Sequence, residues 1–440
     1  MAHEIILIIF ILWIICLMLA GQAVATVLLG GGIIGVSLWV GPSVLNGMLA
    51  QDVFFGVASY SLSIIPMYLF MAQLLVRGGV IKDLFSVGHK LSGYRRYPLG
   101  AATIIIGALL GAVSGSGSAS AASLAALASP ELEKVGYTKR FSVALAAVAG
   151  SLSAMIPPSL VIIIYGSLTM TPIGHLFIGS VIPALLCILV YLLCLHVFGK
   201  NNISEDINLD TSAKKEGAAS ATSSSPVKSF IFVLLLMFFV FGGIYGGVVT
   251  VGEAGAMGAF FSFLGMLLMG RVNKDSFRLA VLDSVKITSM LMMLVIGAQV
   301  LARFFSISRI PREIMTLAEP LIAHPSLLVM VLLLAIFVAG MILESVAVIV
   351  LVVPIIMPML DASQIDLVWF GVMASFMISL GLITPPVGLS AYAASAAANV
   401  NVANTFRSCM PFSIVAAVVV SALMILFPEI VTWLPNKMNN

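Results

Sequence analysis

The feature that most limits the fold of this chain is a series of apolar runs, several of them longer than the roughly 18 residues with which a helix crosses hydrocarbon. Only 9% of the residues are charged, against about 25% in an average soluble domain. Barrel strands would show about 10 residues of alternating polarity, whereas these runs are continuous. Since only helices and closed barrels satisfy their backbone in lipid, the sequence predicts an all-α polytopic membrane protein.

The two halves of the chain share a pattern of prolines at an offset of 228 residues. The paired positions are Pro130 with Pro358, Pro157 with Pro385, Pro158 with Pro386, and Pro183 with Pro411. This pattern indicates an internal duplication. It divides the chain into a first repeat at 1–198, a polar linker at 199–228 and a second repeat at 229–440.

The positive charges predict how these repeats lie in the membrane, because Lys and Arg in short loops mark the cytoplasmic side. Both 77–97 and 131–140 are basic, so the apolar stretch 98–130 between them must enter and leave on one side, as a re-entrant hairpin. Counting onward predicts about ten transmembrane helices and a cytoplasmic linker. A second hairpin at 325–358 then enters from the opposite face, which makes the repeats inverted.

Each repeat also contains a proline-broken apolar stretch, at 141–170 and at 367–399. Broken helices free carbonyls that suit a cation and helix N-termini that suit an anion. Small-residue helix packing at the first tip and simple kinks at the prolines are the alternatives. The candidate substrate contacts are the polar residues of tips and breaks: Ser114, Ser116, Ser118, Ser159, Glu344, Ser345 and Thr384. Glu344 is predicted to hold a cation, carry a proton or accept hydrogen bonds within its tip.

Several other functions are excluded by what the sequence lacks. There is no Gly-x-Ser-x-Gly and no mid-span histidine to activate a serine, so we expect no enzyme. No phosphate-binding GxxxxGK[ST] motif occurs, and no basic stripe indicates nucleic acid.

The motifs together resemble the large membrane subunit of tripartite ATP-independent periplasmic (TRAP) transporters. The resemblance is carried by Gly111–Ser116, Ile156–Ser159, Gly242–Gly247, Gly340–Glu344 and Gly381–Gly388. It implies an elevator-type, Na⁺-coupled importer of small organic acids in the bacterial inner membrane. It also implies a separate small four-helix membrane subunit (Q) and a periplasmic substrate-binding protein (P).

The same resemblance implies two Na⁺ sites. The first would use Ser114, Ser153, Ile156 and Pro158, and the second would use Gly340, Gly381, Thr384 and Val387. One departure is Ser153, which stands where the family usually has glycine. The cargo is left open among dicarboxylates, sialic or other sugar acids and sulfonates. The alternative function is a proton-coupled organic-anion transporter, or an anion channel, that works without a binding protein.

Overall fold

The computed structural model describes residues 12–13, 16–17, 20–93, 95–203, 226–308 and 310–438. The apolar run at 5–20 predicts a first span, but most of it, like most of the predicted linker at 199–228, lies outside the described residues. Among the described residues, eight helices are long and apolar enough to cross a membrane, and four shorter apolar helices accompany them. The prediction of an all-α polytopic membrane protein is therefore confirmed.

The first half of the described chain contains ten α-helices. In order they are α1 Val24–Trp39, α2 Leu45–Val57, α3 Ile64–Arg77, α4 Val80–Leu91, α5 Arg96–Ser114, α6 Gly117–Lys134, α7 Lys139–Ser151, α8 Leu160–Thr169, α9 Ile173–Gly179 and α10 Val181–Phe198.

The second half of the described chain contains ten more. They are α11 Pro226–Tyr245, α12 Val251–Leu268, α13 Lys274–Ile307, α14 Ile310–Ile322, α15 Pro325–Ile342, α16 Ser345–Ala362, α17 Leu367–Gly381, α18 Leu389–Ala397, α19 Val402–Leu426 and α20 Glu429–Met438.

The 228-residue offset of the prolines extends to the helix boundaries. The first hairpin, α5 with α6, changes helix between Ser114 and Gly117, and the second, α15 with α16, changes between Ile342 and Ser345. The first break (152–159) follows α7, and the second break (382–388) follows α17. Each break contains a cis Pro-Pro peptide.

Three segments differ from what the sequence predicts. The apolar run at 53–76 predicts a single span, which is wrong, because α2 ends at Val57 and a short 3₁₀ turn separates it from α3. The loop expected at the basic stretch 77–97 contains α4, whose apolar face is buried. The basic stretch 270–286 likewise predicts a loop, but α13 begins at Lys274, where Asn273 and Ser276 cap each other reciprocally.

The stretch Thr250–Glu253 is typical of a helix N-cap region, of which Glu253 would be part. The backbone N–H of Thr250 donates to Glu253 Oε2 at 2.7 Å, and the Glu253 N–H donates to Thr250 Oγ1 at 3.3 Å. The interpretation of Glu253 as part of a helix N-cap, at the start of α12, is thereby confirmed.

The two hairpins and the two broken helices interlock into one body, which we call the hairpin body. The half-helix α18 packs against α6 and α7 of the first repeat, while α8 packs against α16 and α17 of the second. Ser379 Oγ donates to the carbonyl of Ser151 at 2.8 Å, and both residues are fully buried. These two serines are equivalent positions of the two repeats, so the repeats meet where their broken helices cross.

A second set of helices surrounds this body, and we call α3, α4 and α13 the frame helices. Arg77 of α3 forms an ion pair with Asp283 of α13. Arg271, just before α13, forms an ion pair with Asp83 of α4 at 2.5 Å and donates to the carbonyl of Gly78 at 3.0 Å. These contacts join the ends of the frame helices, and Arg77 has a structural partner in Asp283.

Candidate functional site

The first hairpin tip is shaped by a glycine in a left-handed conformation. Gly115 has φ +62° and caps the C-terminus of α5, with its N–H donating to the carbonyl of Gly111 at 3.0 Å. Ser116 is extended and serves as the N-cap of α6, with no side-chain capping bond. The Ser-Gly alternation therefore makes a tight reversal that leaves the first N–H groups of α6 available at the tip.

Serine hydroxyls cover this tip. Ser114 Oγ is hydrogen-bonded to Ser120 Oγ one turn into α6. Ser116 Oγ and Ser118 Oγ lie 3.5 Å apart. The tip thus presents a cluster of neutral groups that can both donate and accept hydrogen bonds.

The second hairpin tip is built differently. Glu344 is the N-cap of α16, and its carboxylate accepts from the N–H of Val346 at 2.9 Å. The neighbouring Met341 carbonyl accepts from the N–H groups of Val387 and Gly388, at 3.2 Å and 2.9 Å. The second break is thereby hydrogen-bonded onto the second tip, and the structural role predicted as one alternative for Glu344 is observed.

A cavity of about 250 Å³ lies between the hairpin body and the frame helices. Ser114, Ser116 and Ser118 line it from the first tip, and Glu344 lines it from the second. The frame helices contribute Leu69, Gln73 and Val76 from α3, Ile81 from α4, and Ile287 and Met290 from α13. Pockets for drug-sized ligands measure about 300–1,000 Å³, so this cavity suits a smaller molecule.

The charge of the cavity lining is unusual for an anion site. Among the described residues that line it there is no Lys or Arg, and Glu344 is the one acidic residue. An anion here would depend on the N-terminus of α6, whose free N–H groups and dipole carry partial positive charge. Ser118 and Ala119 in the first turn of this 18-residue helix both line the cavity.

Three polar lining residues are absent from the set that the sequence predicts. Ser120 and Ser123 follow Ser116 at helical spacings of four and seven residues, so a helix-face count along α6 would have found them. Gln73 stands alone in an apolar helix, where a polar side chain is itself a signal of function.

Three other predicted substrate contacts do not line this cavity. Ser159 is fully buried in the first break and donates to the carbonyl of Ala154 at 2.6 Å. Thr384 is buried in the second break, where its Oγ1 donates to the carbonyl of Leu380 and lies 2.7 Å from Ser413 Oγ. Ser345 is buried at the first residue of α16. These residues organise the tips and breaks around the cavity.

Of the residues predicted for the first Na⁺ site, Ser153 packs against the first hairpin tip, which carries Ser114. A β-carbon on Gly111 would lie 2.6 Å from the Cα of Ser153, so the end of α5 packs directly on the first break. Ser153 is fully buried, and its Oγ has no hydrogen-bond partner. Because a buried hydroxyl without a partner is costly, and oxygen is the preferred ligand of hard cations, the Ser153 hydroxyl fits the role of a cation ligand.

The residues predicted for the second Na⁺ site also come together. A β-carbon on Gly381 would lie 2.6 Å from the carbonyl carbon of Gly340, so the two backbones meet without side chains between them. The Met341 carbonyl next to Gly340 binds the N–H of Val387. The second tip and the second break are therefore in direct backbone contact at Gly340, Gly381 and Val387.

The helices, hairpins and cavity define a multi-pass membrane permease. The family model of the tripartite ATP-independent periplasmic transporter DctM component matches residues 11–430, and the chain belongs to this family. It is therefore an inner-membrane protein and a large permease of the TRAP type.

Relatives within the family carry different cargoes. The chain is 29% identical to the C4-dicarboxylate TRAP transporter large permease of Pseudomonas aeruginosa, over 88% of this chain and 87% of that one. It is 27% identical to the sialic acid TRAP transporter large permease of Vibrio cholerae, over 88% and 89%.

A distant fold match is the solved structure of MtrF from Neisseria gonorrhoeae, with a TM-score of 0.67 and 13% identity over 88% of this chain and 84% of that one.

Proposed function

We propose that this chain is the permease subunit of a Na⁺-coupled transporter that imports a small organic anion. The observation that carries the proposal is the cavity between the hairpin body and the frame helices, lined by the serines of the first tip. A binding protein outside the membrane would deliver the anion, and a small membrane subunit would complete the complex. The relatives' cargoes, a C4-dicarboxylate and sialic acid, support a carboxylate as the recognised group.

The two tips suggest an orientation for the bound molecule. Its carboxylate would accept hydrogen bonds from the first N–H groups of α6 and from Ser116 and Ser118. A hydroxyl or amide of the cargo would face Glu344, whose carboxylate accepts hydrogen bonds but repels a second anion nearby. Gln73 would contact the cargo from the frame side.

Sodium would bind at the two tips, where neutral oxygens gather. A cation there would supply positive charge beside the anion, since the described lining residues include no basic side chain. The residues that would hold it are those of the two predicted sites, Ser153 in the first and Thr384 in the second among them. Such a dependence couples anion binding to the sodium gradient.

An elevator motion is part of the proposal. The cavity wall is divided between the interlocked hairpin body and the frame helices, so a rigid displacement of the body would carry the tips and their cargo along the frame. To test this, Gly88→Cys on α4 and Ala102→Cys on α5 can be introduced together in a Cys16→Ser background, because Cys16 is the exposed native thiol. A β-carbon on Gly88 would lie 3.3 Å from the Cβ of Ala102, which is close to the separation in a disulfide, and neither residue lines the cavity. Oxidation to the disulfide should stop transport in the double variant and leave each single variant active. Continued transport after confirmed cross-linking would overturn the elevator mechanism.

The function itself is tested in proteoliposomes that contain the chain, its small partner subunit and candidate binding proteins. Uptake of a labelled dicarboxylate, sialic acid or sulfonate should require both the matching binding protein and an inward Na⁺ gradient. Replacing Na⁺ by K⁺ should reduce uptake to the level of empty vesicles. Undiminished uptake in K⁺ would refute sodium coupling, and uptake without a binding protein would refute delivery.

A further inference from the structure

Two buried hydroxyls without partners lie beside Gly117, at the start of α6. A β-carbon built on Gly117 would lie 3.1 Å from Ser390 Oγ and 3.5 Å from Ser153 Oγ. Both serines are fully buried, and neither Oγ has a hydrogen-bond partner. Ser153 belongs to the first break, whereas Ser390 lies in the first turn of α18, in the other repeat.

A serine hydroxyl in a helix usually donates to a carbonyl of the preceding turn, and this pair of serines does not. Ser395, one turn further along α18, donates to the carbonyl of Ala391 at 2.7 Å, which satisfies its hydroxyl within the helix. Ser390 forms no such bond, although its backbone N–H is satisfied by the carbonyl of Leu382 at 2.9 Å. Two such groups at one place indicate a shared ligand, because buried polar atoms are nearly always satisfied.

Comparison of the repeats strengthens the argument. The residue equivalent to Gly117 in the second tip is Ser345, and the residue equivalent to Ser390 in the first repeat is Ile162. The second tip thus has its own serine, and the position equivalent to Ser390 is an isoleucine, whereas the first tip has a glycine that lies beside Ser390. At the first tip the hydroxyl is supplied from the opposite repeat, into the space that the glycine leaves open.

We propose that Ser390 is a ligand of the first cation site, together with Ser153, and that this site is therefore shared between the two repeats. The ligands are neutral oxygens without a carboxylate in the pair, which suits a monovalent hard cation such as Na⁺. This inference rests on the proposed sodium coupling. Its consequence is that a bound cation ties the first tip to α18 of the second repeat.

The test measures cation binding directly, without any cargo. Purified protein is titrated with NaCl at constant ionic strength, with choline chloride as the balancing salt, and the melting temperature is followed. Loss of one oxygen ligand in Ser390→Ala should raise the Na⁺ concentration at half-maximal stabilisation about tenfold. Ser390→Cys, which keeps the size and removes the oxygen, should give the same shift. Ser262→Ala is the matched control, since Ser262 is also fully buried and unpartnered but lies on α12.

A rescue variant separates ligand loss from simple damage to packing. Gly117→Ser in the Ser390→Ala background returns a hydroxyl to the tip, as in the second repeat, and its β-carbon meets only the flexible end of Leu382 at 2.7 Å. The Na⁺ midpoint should return towards that of the parent. If both Ser390 variants titrate like the parent, the assignment of Ser390 is wrong while sodium coupling stands. If the parent itself shows no stabilisation by Na⁺ over choline, both the coupling and this assignment are wrong.

Discussion

Ser116 offers the sharpest test of where the cargo's negative charge lies. It is the N-cap of α6 and lines the cavity, with its Oγ 3.5 Å from that of Ser118. Asp and Asn are both good N-cap residues of nearly equal size. Ser116→Asp and Ser116→Asn should therefore preserve the start of α6 equally and differ by a single negative charge inside the cavity.

The size of the effect follows from the geometry. An anion that contacts Ser118 would lie about 4 Å from a carboxylate at position 116, and two unit charges at that distance repel by about 4 kcal/mol at an effective dielectric of 20. The cavity is partly open to water, which reduces the repulsion to about 3 kcal/mol. Since about 1.4 kcal/mol corresponds to a factor of ten, Ser116→Asp should lose about a hundredfold in transport kcat/KM relative to Ser116→Asn.

The assay is initial uptake of the cargo by proteoliposomes at saturating Na⁺, with both variants reconstituted at equal density. Melting temperature provides the control for folding, and Ser116→Asp should be at least as stable as Ser116→Asn, because a carboxylate at a helix N-terminus is favourable. A stable but inactive Asp variant beside an active Asn variant supports the anion site. Equal transport by the two variants would refute the placement of the anion at α6.

Three further predictions concern the second tip and the contact between His89 of α4 and Glu131 of α6. Gly381→Ala should destabilise the protein by about 1–3 kcal/mol, because its added carbon would lie 2.6 Å from the nearest atom. Gly340→Ala should destabilise it less, because the corresponding distance is 3.3 Å. Equal melting temperatures of the two variants would contradict this. Glu344→Ala should lower the free energy of unfolding by about 1 kcal/mol, because α16 loses its N-cap, whereas Glu344→Gln should keep most of that stability. Equal losses of stability for the two variants in urea unfolding would contradict a capping role for Glu344. Burial lowers the pKa of His89 below its ordinary 6.5, against the opposing effect of Glu131. The unfolded chain therefore binds the proton of His89 more tightly than the folded chain does, and the stability of the parent should fall as the pH drops below about 6.5. The stability of His89→Gln should fall less. Melting temperatures that change equally in both proteins from pH 7.5 to 5.5 would refute this.

The parts of the fold that the sequence predicted best are those with a strong local chemical cause. Helix breaks at Pro157 and Pro385 follow from a missing N–H and a blocked helical residue before each proline. The first tip follows from the Ser-Gly alternation around Gly115, where a left-handed residue ends the helix. Because the proline pattern recurs at an offset of 228 residues, each of these sequence features occurs twice. The ends of both hairpins could therefore be predicted to within a few residues.

The frame helix that the sequence did not predict, α4, is amphipathic. Val80–Leu91 was taken as a loop because its charges dominate its composition, yet Leu84 and Gly88 repeat at helical spacing and are buried against the rest of the protein. The cavity was only half predicted for a similar reason. The tip residues can be recognised in the sequence because they interrupt the apolar run of a membrane-spanning helix. Gln73 instead belongs to an uninterrupted helix, and only tertiary packing brings it to the cavity.

Divergence between the two tips is concentrated where their function would need it. Adjacent positions of the first tip, Ser116 and Gly117, correspond to Glu344 and Ser345 of the second. The first change leaves the N-terminus of α6 free of negative charge while α16 is capped by a carboxylate. The second opens the space beside Gly117 that Ser390 faces. A symmetric pair of tips would present two equivalent charge environments to one cargo. The observed pair instead gives the cavity a neutral, donor-rich end and an acidic end, so under the proposed function a small acid with one carboxylate and a hydroxyl-bearing tail would have a single favourable orientation there.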